Sequence, residues 1–423
     1  MAYHAHFNAV RGTAMRVLAV REWIGGRLGA WHFTAAAGLL ALLLLHVALT
    51  SSLLGQTRFP GRSELKPTTA IGYPSLGATS LSTYSRIEVK PMVSEGLVLG
   101  LDPGVLRAAY DLSTSVRAGE GATIAIITAY HNPTAESDLA VFSKQFGLPE
   151  CTVENGCFTQ VSPQGTEMVP GIPTDWMYES ALDTQWAHAI APGAKVLLVE
   201  ARTSKWDQLL AAVDYAKAHA RYVTMSWGSL EFAEETTFDS HFVQSGVSFF
   251  ASSGDLSGTV HYPSASPYVV SVGGTVLNTF AREFLSEFRW PHSGWGCSAY
   301  ERGTPAQLSF RDYSAGGCGQ SRATPDISLI AEPGLTIYWN GNWHVGRGTS
   351  VATVIVAARA AVSGTTVDAD TVYGSSMSFR SVKNGADVRS AGFDLTTGRG
   401  SWVGPIVTPS RVTIATDDAS PRN

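Results

Sequence analysis

The sequence predicts an α/β fold, a doubly wound parallel sheet with helices on both faces. Short apolar runs of strand length alternate with stretches of helical spacing between residues 123 and 251; such alternation implies parallel strands joined by helical crossovers. The chain has 423 residues, 44% of them hydrophobic and 15% charged, enough to bury a large core. Polar, glycine-bearing turns follow the expected strand ends, as in Ser226-Trp227-Gly228 and Ser252-Ser253-Gly254-Asp255, and ligands in such sheets gather at those ends.

The folded part is expected to begin near Leu101-Asp102-Pro103. Thr123 to Thr128 is an apolar strand, and Glu136 to Phe146 has helical spacing. Trp176 to Ile190 is a second helix and Lys195 to Glu200 a strand. Lys205 to Ala220 places Leu209, Leu210, Val213 and Ala216 on one helical face. Tyr222 to Trp227 is a strand, a helix lies near Glu234 to Gln244, and Val247 to Ala251 is the next strand. Residues 278–345, rich in glycine, aromatics and turns, read as loops and short antiparallel strands. No internal repeat is seen.

Ahead of this lie three segments of different composition. Residues 1–32 carry Arg11, Arg16, Arg21 and Arg27 against one acid, Glu22. Residues 33–55 are apolar and reach the roughly 20 residues that span a bilayer. Basic residues before the segment place the N-terminus in the cytoplasm and the rest outside. An uncleaved anchor is the favoured reading and a cleaved signal peptide the rival; both export the remainder. Residues 56–97, with Pro60, Pro67, Pro74 and Pro91, read as a linker; residues 98–408 form the main domain and 409–423 a tail. The net charge of -5 argues against a nucleic-acid surface.

All four cysteines follow the apolar segment. An even number in an exported chain favours disulfides, and local pairing, Cys151–Cys157 and Cys297–Cys318, is the simplest of three connectivities. A zinc site is the weaker alternative, since neither pair has a knuckle's tight spacing.

Chemistry concentrates on four residues. Glu179 and Asp183 are four apart on an expected helix and share one face. A solvated acidic face would explain such a pair. Trp176, Tyr178, Leu182 and Trp186, however, suggest a half-buried helix, where two carboxylates titrate as a coupled pair. That pair can take a proton from a hydroxyl at low pH, since unperturbed carboxyls titrate near about 4. Ser350 closes Gly348-Thr349-Ser350 and opens an apolar run. Serine there is either an N-cap or a nucleophile presented to a cleft. Asp255 ends Ser252-Ser253-Gly254-Asp255, as a turn residue or as a neutral acid aimed at an oxyanion.

In order, Ile124–Pro133 with Ala135–Leu139, Glu179–Asp183, Trp186–Ala194, Ser226-Trp227-Gly228, Ser252–Asp255, Val272–Thr275 and Gly348-Thr349-Ser350 resemble the sedolisin family of serine-carboxyl peptidases, over roughly residues 101–404. The resemblance implies a subtilisin-like fold, a Ser350 nucleophile, Glu179 as its base, Asp183 as the partner of Glu179, and Asp255 as oxyanion acid. It also implies that Ser226, Trp227 and Gly228 pair with an extended peptide. The implied protein is a monomeric, exported or membrane-anchored endopeptidase acting on polypeptides at acid pH. The chain departs from the family in three ways. Val354 stands where a proline usually follows the nucleophile, residues 56–97 are too short for the usual pro-domain, and the stretch from Ser350 to Phe379 is abbreviated. The family's calcium site would fall on Val382, Ser390, Gly392 and Asp394, but Ser381 replaces its aspartate, so a weakened or absent site is expected.

A catalytically lapsed, peptide-binding ectodomain is the alternative. A Ser-His-Asp enzyme would need a histidine base. The nearby histidine, His188, lies nine residues past Glu179, off its helical face, and reads as a packing residue.

Overall fold

The computed structural model describes residues 82–83, 86–88, 100–165, 174–374, 377–382 and 392–404. The chain divides into Met1–Leu76 and Gly77–Asn423, and every described residue belongs to the second unit. The apolar segment 33–55 and the tail 409–423 therefore lie outside the described residues, among which no helix is long and apolar enough to cross a membrane.

The strands in chain order are β1 (Ser82–Thr83), β2 (Arg86–Glu88), β3 (Thr123–Ala129), β4 (Phe158–Val161), β5 (Lys195–Ala201), β6 (Tyr222–Met225), β7 (Trp227–Leu230), β8 (Ser248–Ser252) and β9 (His261–Tyr262). There follow β10 (Val270–Phe280), β11 (Glu283–Arg289), β12 (Gly296–Arg302), β13 (Ser321–Thr324), β14 (Ile327–Glu332), β15 (Leu335–Trp339), β16 (Asn342–Arg347), β17 (Ser378–Arg380) and β18 (Ser401–Val403). The central sheet has eight strands in the order β11-β10-β8-β6-β3-β5-β4, with β14 also paired to β10. Its ladders are parallel except β10 with β11.

Local chemistry accounts for the elements that frame the site. In β3 every residue after Thr123 is buried, because helices cover both faces of a parallel sheet and remove the usual alternation. The helix Pro103–Tyr110 starts where expected, with Asp102 accepting from the amides of Gly104 at 2.8 Å and Val105 at 3.1 Å and proline in the first turn. The helix Thr349–Ser363 is buried through its first thirteen residues and packs on the helix Thr174–Ile190 and on β6, β8, β10 and β14. Its small side chains (Ala352, Ala357, Ala358, Ala360, Ala361) allow that close approach on every side.

Four features differ from the sequence expectations. Glu235–Phe242 is a 3-10 helix rather than an α-helix. The strand expected over 222–227 breaks at Ser226, where β6 ends in the central sheet and β7 begins in another. Within 278–345, β14 is a parallel strand of the central sheet, registered as Val272↔Ile327 through Val276↔Glu332. Its apolar run Ile327–Ala331 lies between Pro325 and Pro333 and resembles a loop excursion until β10 supplies a partner. Residues 82–83 and 86–88, inside the span read as a linker, form β1 and β2.

Candidate active site

The acid helix, Thr174–Ile190, packs against the serine helix, Thr349–Ser363. Glu179 and Asp183 are both fully buried on the acid helix, side by side as their spacing predicts. Asp183 accepts a hydrogen bond from Ser226 Oγ at 3.2 Å. Burial, then the neighbouring charge of Glu179, holds the Asp183 carboxyl well above the usual carboxylate range, with the Ser226 bond opposing. The pair therefore retains a proton at pH values where a solvated aspartate has lost it.

Ser226 also joins the acids to the serine helix. The strand break frees its carbonyl, which accepts from Ser350 Oγ at 3.5 Å. Gly348 precedes the helix with φ 127°, a backbone angle that favours glycine, and its N–H donates to Ala331 O of β14 at 3.2 Å. The β14 strand thus fixes where the serine helix begins. Ser350 is fully buried.

Asp255 approaches from the other side, on the turn after β8. Its Oδ1 accepts from Thr349 N at 3.0 Å and Thr349 Oγ1 at 2.8 Å, which places the carboxyl one residue from Ser350. The turn before it is tight. Gly254 has φ 95°, and a Cβ there would lie 2.4 Å from His261 Nδ1; that ring nitrogen bonds Ser253 O at 3.0 Å. A Cβ on Gly294 would lie 2.1 Å from Ser253 O. Backbone crowding that only glycine permits presses Asp255 toward Thr349.

Trp227 and Gly228 open β7 and are buried. Trp227 Nε1 donates to Ile127 O at 2.9 Å, tying the start of β7 to β3. One edge of β7 pairs with β9 and the other with β1. Gly346 in β16 lies against the acid helix so closely that a Cβ would come within 2.8 Å of Leu182 Cδ1.

Sequence reasoning passed over the supporting shell. Asn132 Nδ2 donates to Ser180 Oγ at 2.8 Å and Met177 O at 3.0 Å, gripping the acid helix one turn around Glu179. Buried Glu200 accepts from Asn132 N and Gln160 Nε2, at 2.8 and 2.7 Å, and so holds Asn132 in place. The polar tail of the otherwise apolar β5 run was the available signal. His188 is fully buried, with Nε2 bonded to Pro149 O at 2.9 Å, as a packing residue should be. Both disulfides form as expected, Cys151–Cys157 and Cys297–Cys318.

The Subtilase family profile matches residues 177–380. Kumamolisin of Bacillus sp. (strain MN-32) is 28% identical over 270 residues, 57% of this chain and 48% of kumamolisin. The chain thus spans about half the length of this curated relative. A solved Pseudomonas sedolisin, described as a serine-carboxyl proteinase complexed with two molecules of pseudo-iodotyrostatin, is 25% identical. It covers 73% of this chain and 96% of its own, with a TM-score of 0.59. The chain is thus similar to serine-carboxyl peptidases of the sedolisin type. Its fold is subtilisin-like, and the family likeness runs through the acid helix, β14 and the serine helix.

Where the resemblance would place calcium, Ser381 stands in place of an aspartate. Val382, Gly392 and Asp394 line a cavity of about 310 Å³ together with Ser381 and Asp312, while Ser390 lies outside the described residues. Asp394 Oδ1 accepts from Thr396 N at 2.9 Å and from Thr396 Oγ1 at 2.5 Å. With a hydroxyl at Ser381 and one Asp394 oxygen occupied by threonine donors, the described residues fit a hard divalent cation poorly.

Proposed function

We propose that the protein is an exported serine-carboxyl endopeptidase that cleaves polypeptides at acid pH. The observation that carries this reading is the convergence on Ser226: its hydroxyl bonds Asp183 and its carbonyl accepts from Ser350 Oγ. Ser350 Oγ attacks the scissile carbonyl carbon. Its proton passes to Glu179, whose negative charge Asp183 stabilises by sharing a proton with it. Asp255, oriented by Thr349 through Oδ1, donates a proton from Oδ2 to the developing oxyanion, which requires a neutral acid and hence low pH. The amine leaves with the proton held on Glu179, and water then releases the acyl group by the reverse sequence. Pairing of both cysteine pairs supports an oxidising, extracytoplasmic setting. A second reading, peptide binding without turnover, draws on the complete burial of Ser350.

The test is hydrolysis of an unfolded protein substrate from pH 3 to 8 by the parent and by Ser350→Ala. Cleavage at acid pH that vanishes in Ser350→Ala supports the peptidase. Peptide binding by a folded protein with no cleavage at any pH favours the second reading.

A further inference from the structure

We propose that His261 is a positioning residue for the oxyanion acid, fastening the turn that carries Asp255 to the strand pair β7–β9. This rests on the reading of Asp255 as the oxyanion donor and names the residue that aims it.

The backbone and the side chain of His261 serve different parts of the site. Through its backbone, β9 runs antiparallel to β7, with His261 opposite Leu230 and Tyr262 opposite Ser229. The β7 strand begins one residue after Ser226, which bonds both Asp183 and Ser350. The carbonyl of His261 accepts from Ala265 N at 2.9 Å and from Ser264 Oγ at 2.8 Å, which fixes the chain just beyond β9. Through its side chain, His261 reaches the turn after β8. Its Nδ1 lies 3.0 Å from Ser253 O, and a carbonyl only accepts, so Nδ1 carries the proton. The ring also packs against Gly254, where an added Cβ would lie 2.5 Å from Cε1. Asp255 follows, and its Oδ1 accepts from Thr349 N and Thr349 Oγ1.

An oxyanion donor acts only within about 2.7–3.1 Å of the developing charge. A turn through glycine at φ 95° has wide backbone freedom and does not hold that tolerance unaided. Gly294 N clamps one carbonyl of the turn, Gly254 O, at 2.7 Å, and His261 clamps the carbonyl before it. His261 is buried, so water does not replace its N–H. Its charge state also suits the acid it serves. A cation beside the turn would favour the ionised form of Asp255, which has no proton to donate. Burial, opposed by the bond to Ser253 O, lowers His261 to about 4, and the ring stays neutral above that pH. A neutral donor therefore steadies the turn without drawing the proton off Asp255.

The experiment compares the full chain with His261→Asn and His261→Leu. The two replacements branch alike, but asparagine presents an N–H near the place of Nδ1 and leucine a methyl. On a fluorescently labelled unfolded protein, His261→Leu should lower kcat about tenfold with KM within about twofold, as loss of one hydrogen bond that aims a transition-state donor does. His261→Asn should return kcat to within about threefold of the parent. Leucine at the parental kcat, or asparagine as slow as leucine, overturns the proposal. His261→Phe takes the place of leucine should that variant not fold. A second measurement needs no turnover. Thr349→Val removes one donor to Asp255, and its cost in urea midpoint is read with His261 and with Leu at 261. The cost should at least halve with leucine, because Asp255 has then left Thr349; equal costs overturn the proposal. A parent that cleaves nothing at any pH removes the peptidase reading, and the urea comparison then decides the role of His261.

Discussion

Replacing Glu235 by glutamine should stabilise the protein near neutral pH and leave it unchanged near pH 4. Glu235 is fully buried, and its Oε2 accepts from Phe232 N at 2.8 Å. Burial, then the nearby Glu231 and Glu301, push its carboxyl up to about 9. Glu301 is itself raised to about 7 by burial, Asp239 and Glu231, with Arg322 opposing. Glu231 accepts from Ser298 Oγ and from Ala299 N, which joins the loop after β7 to β12. A carboxyl raised in the fold stays protonated where the unfolded chain has ionised it. The native state then binds more protons, and stability falls as pH rises from about 4.5 towards 9. One pH unit costs at most about 1.4 kcal/mol per group, so Glu235 alone costs up to about 3.4 kcal/mol by pH 7. Because Glu231 shares that field, we expect roughly 2–3 kcal/mol. Glutamine keeps the volume, keeps an acceptor for Phe232 N and supplies an N–H where the neutral acid supplied O–H. Urea unfolding at pH 4, 5.5 and 7 should show Glu235→Gln gaining almost nothing at pH 4, about 1 kcal/mol at pH 5.5 and those 2–3 kcal/mol at pH 7. Parallel pH profiles for parent and variant would refute the reasoning.

Other outcomes follow from the site. Glu179→Gln should abolish hydrolysis without lowering the urea midpoint, because it removes the base and not the packing. Asp255→Ala, unlike asparagine, leaves no side-chain donor and should lower kcat by about 10² to 10³ with KM within about threefold, as loss of an oxyanion donor does; an unchanged kcat would remove Asp255 from that role. Gly254→Ala should destabilise the fold by about 2–4 kcal/mol, from its φ of 95° and the His261 ring 2.4 Å from the added methyl; chemical denaturation reads the loss. Adding about 1 mM calcium to chelator-treated protein should raise Tm by under about 2 °C, since a site with millimolar Kd contributes only about 0.4 kcal/mol; a rise of several degrees would contradict the weakened site.

Much of this site was legible in the sequence because it depends on short-range rules. Helical periodicity places Glu179 beside Asp183 whatever surrounds them, and glycine at 254 and 348 marks the turns that only glycine makes. The apolar runs at 123–128 and 195–200 specify buried parallel strands through burial alone. The cysteines paired as nearest neighbours because each loop is short. The tertiary structure alone decided that the strand breaks at Ser226, which bonds both Asp183 and Ser350, partners distant in sequence. It decided that Ile327–Glu332 joins the main sheet and anchors Gly348, because a strand is defined by a partner distant in sequence. It also decided that Ser82–Thr83 and Arg86–Glu88 pair with β7 and β16. Strand addition runs through backbone groups that every residue carries, so side-chain identity leaves no trace of it.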